Sequence, residues 1–173
     1  MSRTLLTGLI VLSGFCAGPA GSAQAATPAA TQPAASIEAR LQRAEDEAAI
    51  ERLLLEYGRT LDARDFAAYA ALFAADGAWK GALGTFTGPK EIQAQMERIF
   101  ASATDIPKGN NFHVMSNFII DVQGDRATAK SMFIFYRMEG NKPLAEVAGR
   151  YEDVLVRVGG AWKFLERNAL PPG

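Results

Sequence analysis

One histidine, one cysteine and no excess of either charge remove most catalytic devices from this 173-residue chain at the outset. His113 is the single histidine and Cys16 the single cysteine, so a zinc or iron centre of the common kinds lacks ligands. No glycine-rich strand-to-helix turn offers a cradle for nucleotide phosphates, and no Gly-x-Ser-x-Gly elbow is present. A serine triad would have to use His113 itself. The 18 basic and 19 acidic residues give a net charge of -1, without the clustered positive charge that nucleic acid or an anionic membrane selects. No apolar run reaches the roughly 20 residues of a membrane-spanning helix. Cofactor-free and metal-free acid–base chemistry, or ligand binding without chemistry, is what remains.

The first residues read as an export signal. Met1-Ser2-Arg3 is a short positive start, Leu5 to Phe15 an apolar run, and Ala23-Gln24-Ala25 a small-x-small cleavage pattern. The expectation is residues 1–25 as signal peptide, cleavage after Ala25, and a periplasmic or secreted product with no membrane association afterwards. Lipid anchoring at Cys16 is disfavoured because Phe15 stands where lipoprotein signals place a small residue. Cleavage after Ala25 leaves no cysteine, hence no disulfide, and 17 basic against 19 acidic residues. Residues 26–36, mostly Ala, Thr, Pro and Gln, have nothing to bury and read as a disordered linker. One domain, 37–170, follows.

Within it Ser36 is placed to cap a long helix. Ile37, Leu41, Ala44, Ala48, Ile50, Leu53, Leu54, Tyr57 and Leu61 recur near helical spacing, and the last five of them share one face. Asp62 falls on the shoulder of that face, close in angle to Leu55 and Gly58. Asp65 is expected to cap a short helix from Phe66 to Ala74, and Ala78 to Leu83 to form a short strand. A turn-rich connection, Gly84 to Gly88, then leads to a helix opening at Pro89. From Phe112 the period changes to two, which predicts His113, Met115, Asn117, Ile119 and Asp121 on one face. Further strands are expected over Arg126 to Met138, Leu144 to Val158 and Ala161 to Arg167, joined by tight turns. Helices followed by an antiparallel meander argue an α+β fold, in which a sheet wrapped against helices leaves a cavity for a small molecule.

For acid–base chemistry His113 is the natural base, since an unperturbed imidazole titrates near neutrality. A carboxylate such as Asp62 would fix its tautomer and stabilise the imidazolium. Met115 and Asn117 would share its face as an apolar wall and a polar orienting group. On the longest strand Tyr151 is placed to donate a hydrogen bond to a substrate oxygen, and Arg157 to hold an anionic or departing group. Trp79 reads as pocket wall or core. The competing readings are a loop-capping Asp62, a core histidine satisfied by backbone, and Arg157 paired at the surface with Asp153 or Asp125.

Leu53-Leu54-Leu55-Glu56-Tyr57-Gly58-Arg59-Thr60-Leu61-Asp62, Leu72-Phe73-Ala74-Ala75-Asp76-Gly77, His113-Val114-Met115-Ser116-Asn117, Gly149-Arg150-Tyr151-Glu152-Asp153 and Gly160-Ala161-Trp162-Lys163-Phe164 together resemble SnoaL-like domains. These belong to the nuclear transport factor 2-like superfamily. The resemblance implies a cone-shaped α+β barrel, a curved antiparallel sheet packed on three helices, often dimeric through the sheet. The branch it most resembles includes scytalone dehydratase, bile acid 7α-dehydratase and hexachlorocyclohexane dehydrochlorinase. There an aspartate after the first helix and a histidine on the sheet abstract a proton and a leaving group departs. Asp62 and His113 occupy the matching positions, Tyr57 matches a tyrosine of the bile acid dehydratase pattern, and Arg157 an arginine of the dehydrochlorinase. The resemblance thus implies a cofactor-independent lyase or isomerase acting on a small apolar oxygenated substrate, with catalytic residues Asp62, His113 and Tyr57. The alternative is a non-catalytic exported module that binds an apolar ligand or another protein.

Overall fold

The computed structural model describes residues 35–103 and 106–172. The expected signal peptide, Cys16 and the linker up to residue 34 lie outside the described residues. Ser36 caps α1 (Ile37–Asp62), its hydroxyl accepting the Ala39 N–H at 3.2 Å. The buried face of α1 is the expected one from Ile50 to Leu61. Its first turns are exposed, Ile37 and Leu41 included, so the apolar stripe runs past the end of the core it serves.

α1 ends in a tight reversal. The Asp65 N–H donates to the Thr60 carbonyl and the Arg64 N–H to the Leu61 carbonyl, the two bonds of a Schellman motif. Arg64 stands at its left-handed position, φ 55°, where glycine is usual. Asp65 then caps α2 (Phe66–Ala70) by accepting the Ala68 N–H. This helix stops four residues before its expected end at Ala74. Phe73 and Ala74 instead open β1 (Phe73–Gly81), where Phe73 pairs with Phe164 and the Phe164 N–H donates to the Leu72 carbonyl. Pairing with a distant strand overrides the local helical preference of an alanine-rich stretch. The expected turn-rich connection is largely β2 (Gly84–Thr87), held to β1 with Trp79 stacked on Phe86. α3 (Pro89–Ser102) starts at its proline as expected.

β3 (Asn111–Gln123), β4 (Arg126–Glu139), β5 (Lys142–Val158) and β6 (Ala161–Leu170) form the expected antiparallel meander. Six strands build one curved sheet in the order β2-β1-β6-β5-β4-β3, in which β1 joins β6 in parallel. The sheet is therefore mixed, because β1 reaches β6 by a crossover through the rest of the domain and not by a hairpin.

A bulge in β3 changes which residues face the core. Asn117 and Phe118 together oppose Ser131, with Asn117 at φ 56°. His113 and Met115 point inward as expected, and beyond the bulge Phe118, Ile120 and Val122 do so too. Ile119 and Asp121 turn outward, contrary to simple alternation, and Asn117 is exposed with its amide against the Met132 sulfur at 3.4 Å.

Two glycines allow close approach. A Cβ on Gly58 would stand 3.3 Å from the His113 Cβ, so its absence lets α1 lie against β3. A Cβ on Gly149 would lie 2.6 Å from both the Phe133 ring and the Leu170 carbonyl oxygen. Gly149→Ala is expected to cost about 1–3 kcal/mol through overpacking, measurable as a lowered urea midpoint with an unchanged slope.

Candidate functional site

The helices and the inner sheet face enclose a cavity of about 930 Å³, near the upper end of the roughly 300–1,000 Å³ usual for ligand pockets. Its inner wall is Tyr57 and Leu61 of α1, Tyr69 of α2, Trp79 of β1, Phe133 of β4 and Tyr151 of β5, all buried. Met96, Ile99 and Phe100 of α3 close one side. Exposed Ala82, Leu83, Pro171 and Pro172 form the mouth, with Lys80 and Asn168 as polar groups in the lining. Glu166 holds both of these, the Lys80 ammonium at 2.5 Å and the Asn168 amide at 2.8 Å.

Tyr57 is the hub of the inner wall. Its hydroxyl accepts the Trp79 indole N–H at 2.9 Å, and its ring lies 4.8 Å from Tyr69 and 5.4 Å from Tyr151. Behind the rings the Arg167 guanidinium lies 4.0 Å from the Tyr57 centroid and 4.1 Å from that of Tyr151. Asp153 binds Arg167 in a bidentate pair at 2.8 and 2.7 Å, with neither side chain exposed. Burial by itself would lower the Arg167 pKa, and the Asp153 carboxylate more than offsets it, leaving the guanidinium raised. Burial also pushes the Tyr69 and Tyr151 phenols well above their ordinary range, with Tyr57 beside each adding to it and Arg167 opposing. Both stay protonated, as hydrogen-bond donors.

Asp62 and His113 meet. The Asp62 Oδ1 stands 2.6 Å from His113 Nδ1, and its Oδ2 accepts the His113 backbone N–H at 2.7 Å. Asn111 adds a third donor, its amide 2.8 Å from Asp62 Oδ1. The amide oxygen of Asn111 accepts from Arg64, which also donates to the Ile106 carbonyl and lies 3.6 Å over the Phe100 ring. The left-handed turn at Arg64 thereby extends a guanidinium into a relay, Arg64 to Asn111 to Asp62 to His113. A carboxylate facing Nδ1 assigns the proton of a neutral imidazole to that nitrogen and leaves the lone pair on Nε2. Nε2 has no hydrogen-bond partner among the described residues.

The pair does not itself line the cavity. Asp62 follows the lining residue Leu61, and the His113 ring lies 6.3 Å from that of Phe133, another lining residue. The histidine side chain is 8% exposed. Of the other expected site residues, Tyr57, Tyr151 and Trp79 line the cavity. Met115 packs inward beside Gly58, outside the lining. Asn117 is removed from the site by the bulge. Arg157 is removed by distance along its strand: it binds Asp46 at 2.7 Å and Asp125 at 3.0 Å and stacks on Trp162. Asp153, one of its two expected surface partners, is instead buried with Arg167.

Sequence reasoning missed Tyr69, Arg167, Asn111 and Arg64. Asn111 was within reach of it, standing two residues before His113 and so on the same strand face. Nothing local to Arg64 or Arg167 distinguishes them from surface arginines.

No curated protein matches the sequence significantly. Among solved structures, similar folds include a nuclear transport factor 2-like protein with a cystatin-like fold from Novosphingobium aromaticivorans, 22% identical, covering 77% of this chain and 86% of that one with a TM-score of 0.67. The beta subunit of a putative aromatic-ring-hydroxylating dioxygenase from the same organism is 17% identical, with 76% and 92% covered and a TM-score of 0.64. LinA is 24% identical, with 75% and 88% covered and a TM-score of 0.65. These likenesses concern the fold. Residues 42–168 match the family model of the SnoaL-like domain, and the chain belongs to that family.

Proposed function

We propose that this chain is a small-molecule pocket protein whose Asp62–His113 pair performs cofactor-independent proton transfer of the dehydratase type. The observation that carries the reading is the 2.6 Å contact at Nδ1, with Nε2 unpartnered among the described residues. In the reaction His113 Nε2 takes a proton from a carbon next to a carbonyl. The C–H electron pair becomes a new double bond, and a hydroxyl on the adjacent carbon leaves, accepting that proton to depart as water. Asp62 holds the imidazole and balances its positive charge, and Tyr57 orients the substrate. Phe133, a lining residue, is the part of the cavity wall whose ring lies 6.3 Å from that of His113.

The position of the dyad just outside the cavity lining favours a second reading, ligand binding without chemistry. Incubating the protein in D₂O with cyclic β-hydroxy ketones, and following α-proton exchange and loss of water by NMR, decides between them. Wild type is expected to exchange, and His113→Ala to lose exchange while still binding. Equal exchange in both overturns the lyase reading.

The N-terminal sequence pattern supports action after export, in the periplasm or outside the cell. Among the described residues no helix is long and apolar enough to cross a membrane. Val114, Ile119 and Met132 leave apolar side chains on the outer sheet face, which supports pairing of two copies through the sheet.

A further inference from the structure

α1 carries a second apolar face that its own domain leaves uncovered. At about 100° per residue, Ile37, Leu41, Ala44, Ala48 and Leu55 fall along one line on the helix. That line is turned away from the core-facing Ile50, Leu53, Leu54, Tyr57 and Leu61. All five of its residues are exposed, Ile37 at 76%, Leu41 at 58% and Leu55 at 46%. They recur at alternating steps of four and three, the a and d positions of a heptad repeat, interrupted only by Glu51. From Ala35 to Glu45 every residue is exposed, so the first turns of α1 stand clear of the domain. A short helix without packing is marginal in water, and a partner helix along this seam supplies the packing.

The charges that flank the seam match a second copy of it. In a parallel pair Arg40 faces the partner's Glu45, and Glu47 faces the partner's Arg52, each contact occurring twice by two-fold symmetry. Arg40, Glu45 and Arg52 take part in no ion pair among the described residues, and Glu47 gives one oxygen to Arg43. The antiparallel register that opposes Ile37 to Ala48 brings Glu38 to the partner's Glu45 instead, a like-charge contact. Ala44 and Ala48 let two backbones approach closely. We propose that this seam is a self-association surface, which pairs α1 of two copies in parallel as a short coiled coil. Because it lies opposite the face each helix turns to its core, the two domains stand on either side of the pair. The seam is separate from the outer sheet face and independent of proton transfer at His113. Glu51 sets like charges together within it, so the dimer is weak and concentration-dependent.

Sedimentation velocity over a concentration series tests it, in an Ile119→Lys background that takes the sheet face out of play. This protein is expected to dimerise reversibly, and adding Leu41→Glu to leave it monomeric with an unchanged circular dichroism spectrum. Arg40→Glu and Glu45→Arg, each added alone, turn two attractive contacts into two repulsive ones and should each weaken the dimer about tenfold. Mixed in equal amounts, these two variants regain opposite charges at both contacts and should form a heterodimer of nearly the original affinity. An Ile119→Lys protein that is monomeric at every concentration overturns the proposal. So does association that Leu41→Glu leaves unweakened, or a mixture that associates no better than either charge variant by itself.

Discussion

Arg167→Met is expected to destabilise the domain by about 3–5 kcal/mol, because it leaves the Asp153 carboxylate buried without a counter-ion. Both side chains are fully buried, and the pair is the only ionic contact in the aromatic wall among the described residues. The loss compares with a typical total stability of about 5–15 kcal/mol, so it removes a large share of what holds the domain folded. Urea denaturation followed by Trp79 and Trp162 fluorescence measures it. The double variant Arg167→Met with Asp153→Leu removes both charges and should recover most of the loss, since replacing a whole buried pair by apolar groups is far less costly than breaking it. A loss below about 1 kcal/mol for Arg167→Met, the range of exposed pairs, would show that Asp153 finds water or another partner.

Asp62→Asn is expected to lower exchange or turnover by roughly 10²–10⁴-fold, the usual range for positioned acid–base catalysis. The carboxylate accepts from three donors: His113 Nδ1, the His113 backbone N–H and the Asn111 amide. A carboxamide has one oxygen and must turn its NH₂ toward part of that set. With the NH₂ toward Nδ1, the imidazole carries its proton on Nε2 and presents no lone pair where the base is needed. Because His113 is the only histidine, histidine-labelled protein gives a single imidazole ¹⁵N pattern that needs no assignment. The neutral ring should be protonated at Nδ1 in wild type and at Nε2 in the variant. An unchanged tautomer with unchanged exchange would remove Asp62 from the mechanism.

Much of the site was legible in the sequence. Asp62 and His113 are 51 positions apart, yet helical period placed one at the end of α1, alternation placed the other on β3, and the resemblance paired them. Tyr57, expected as a catalytic residue, Tyr151, expected as a donor to substrate, and Trp79, expected as wall or core, all line the cavity. Asn117 and Arg157 do not. A single extra residue at the β3 bulge reverses the faces of a strand, which turns Asn117 away from the site, and no spacing rule reports a bulge. Arg157 does share the face of Tyr151, but three rungs further along a long strand, where Asp46 and Asp125 are its neighbours.

The sequence by itself determined the elements that repeat a local pattern. These are the buried face of α1, the capping of α1 and α2, the start of α3 at Pro89 and the four-strand meander, since each rests on contacts between residues close in the chain or on a fixed period. Only the tertiary structure decided the rest. It ended α2 early in favour of a parallel pairing of β1 with β6. It buried Arg167 between aromatic rings, left Tyr69 without an acceptor, and set Asp62 and His113 just behind the cavity wall. Each of these outcomes depends on which distant groups share one desolvated volume, and burial of that kind is set by the packing of the whole sheet on its helices.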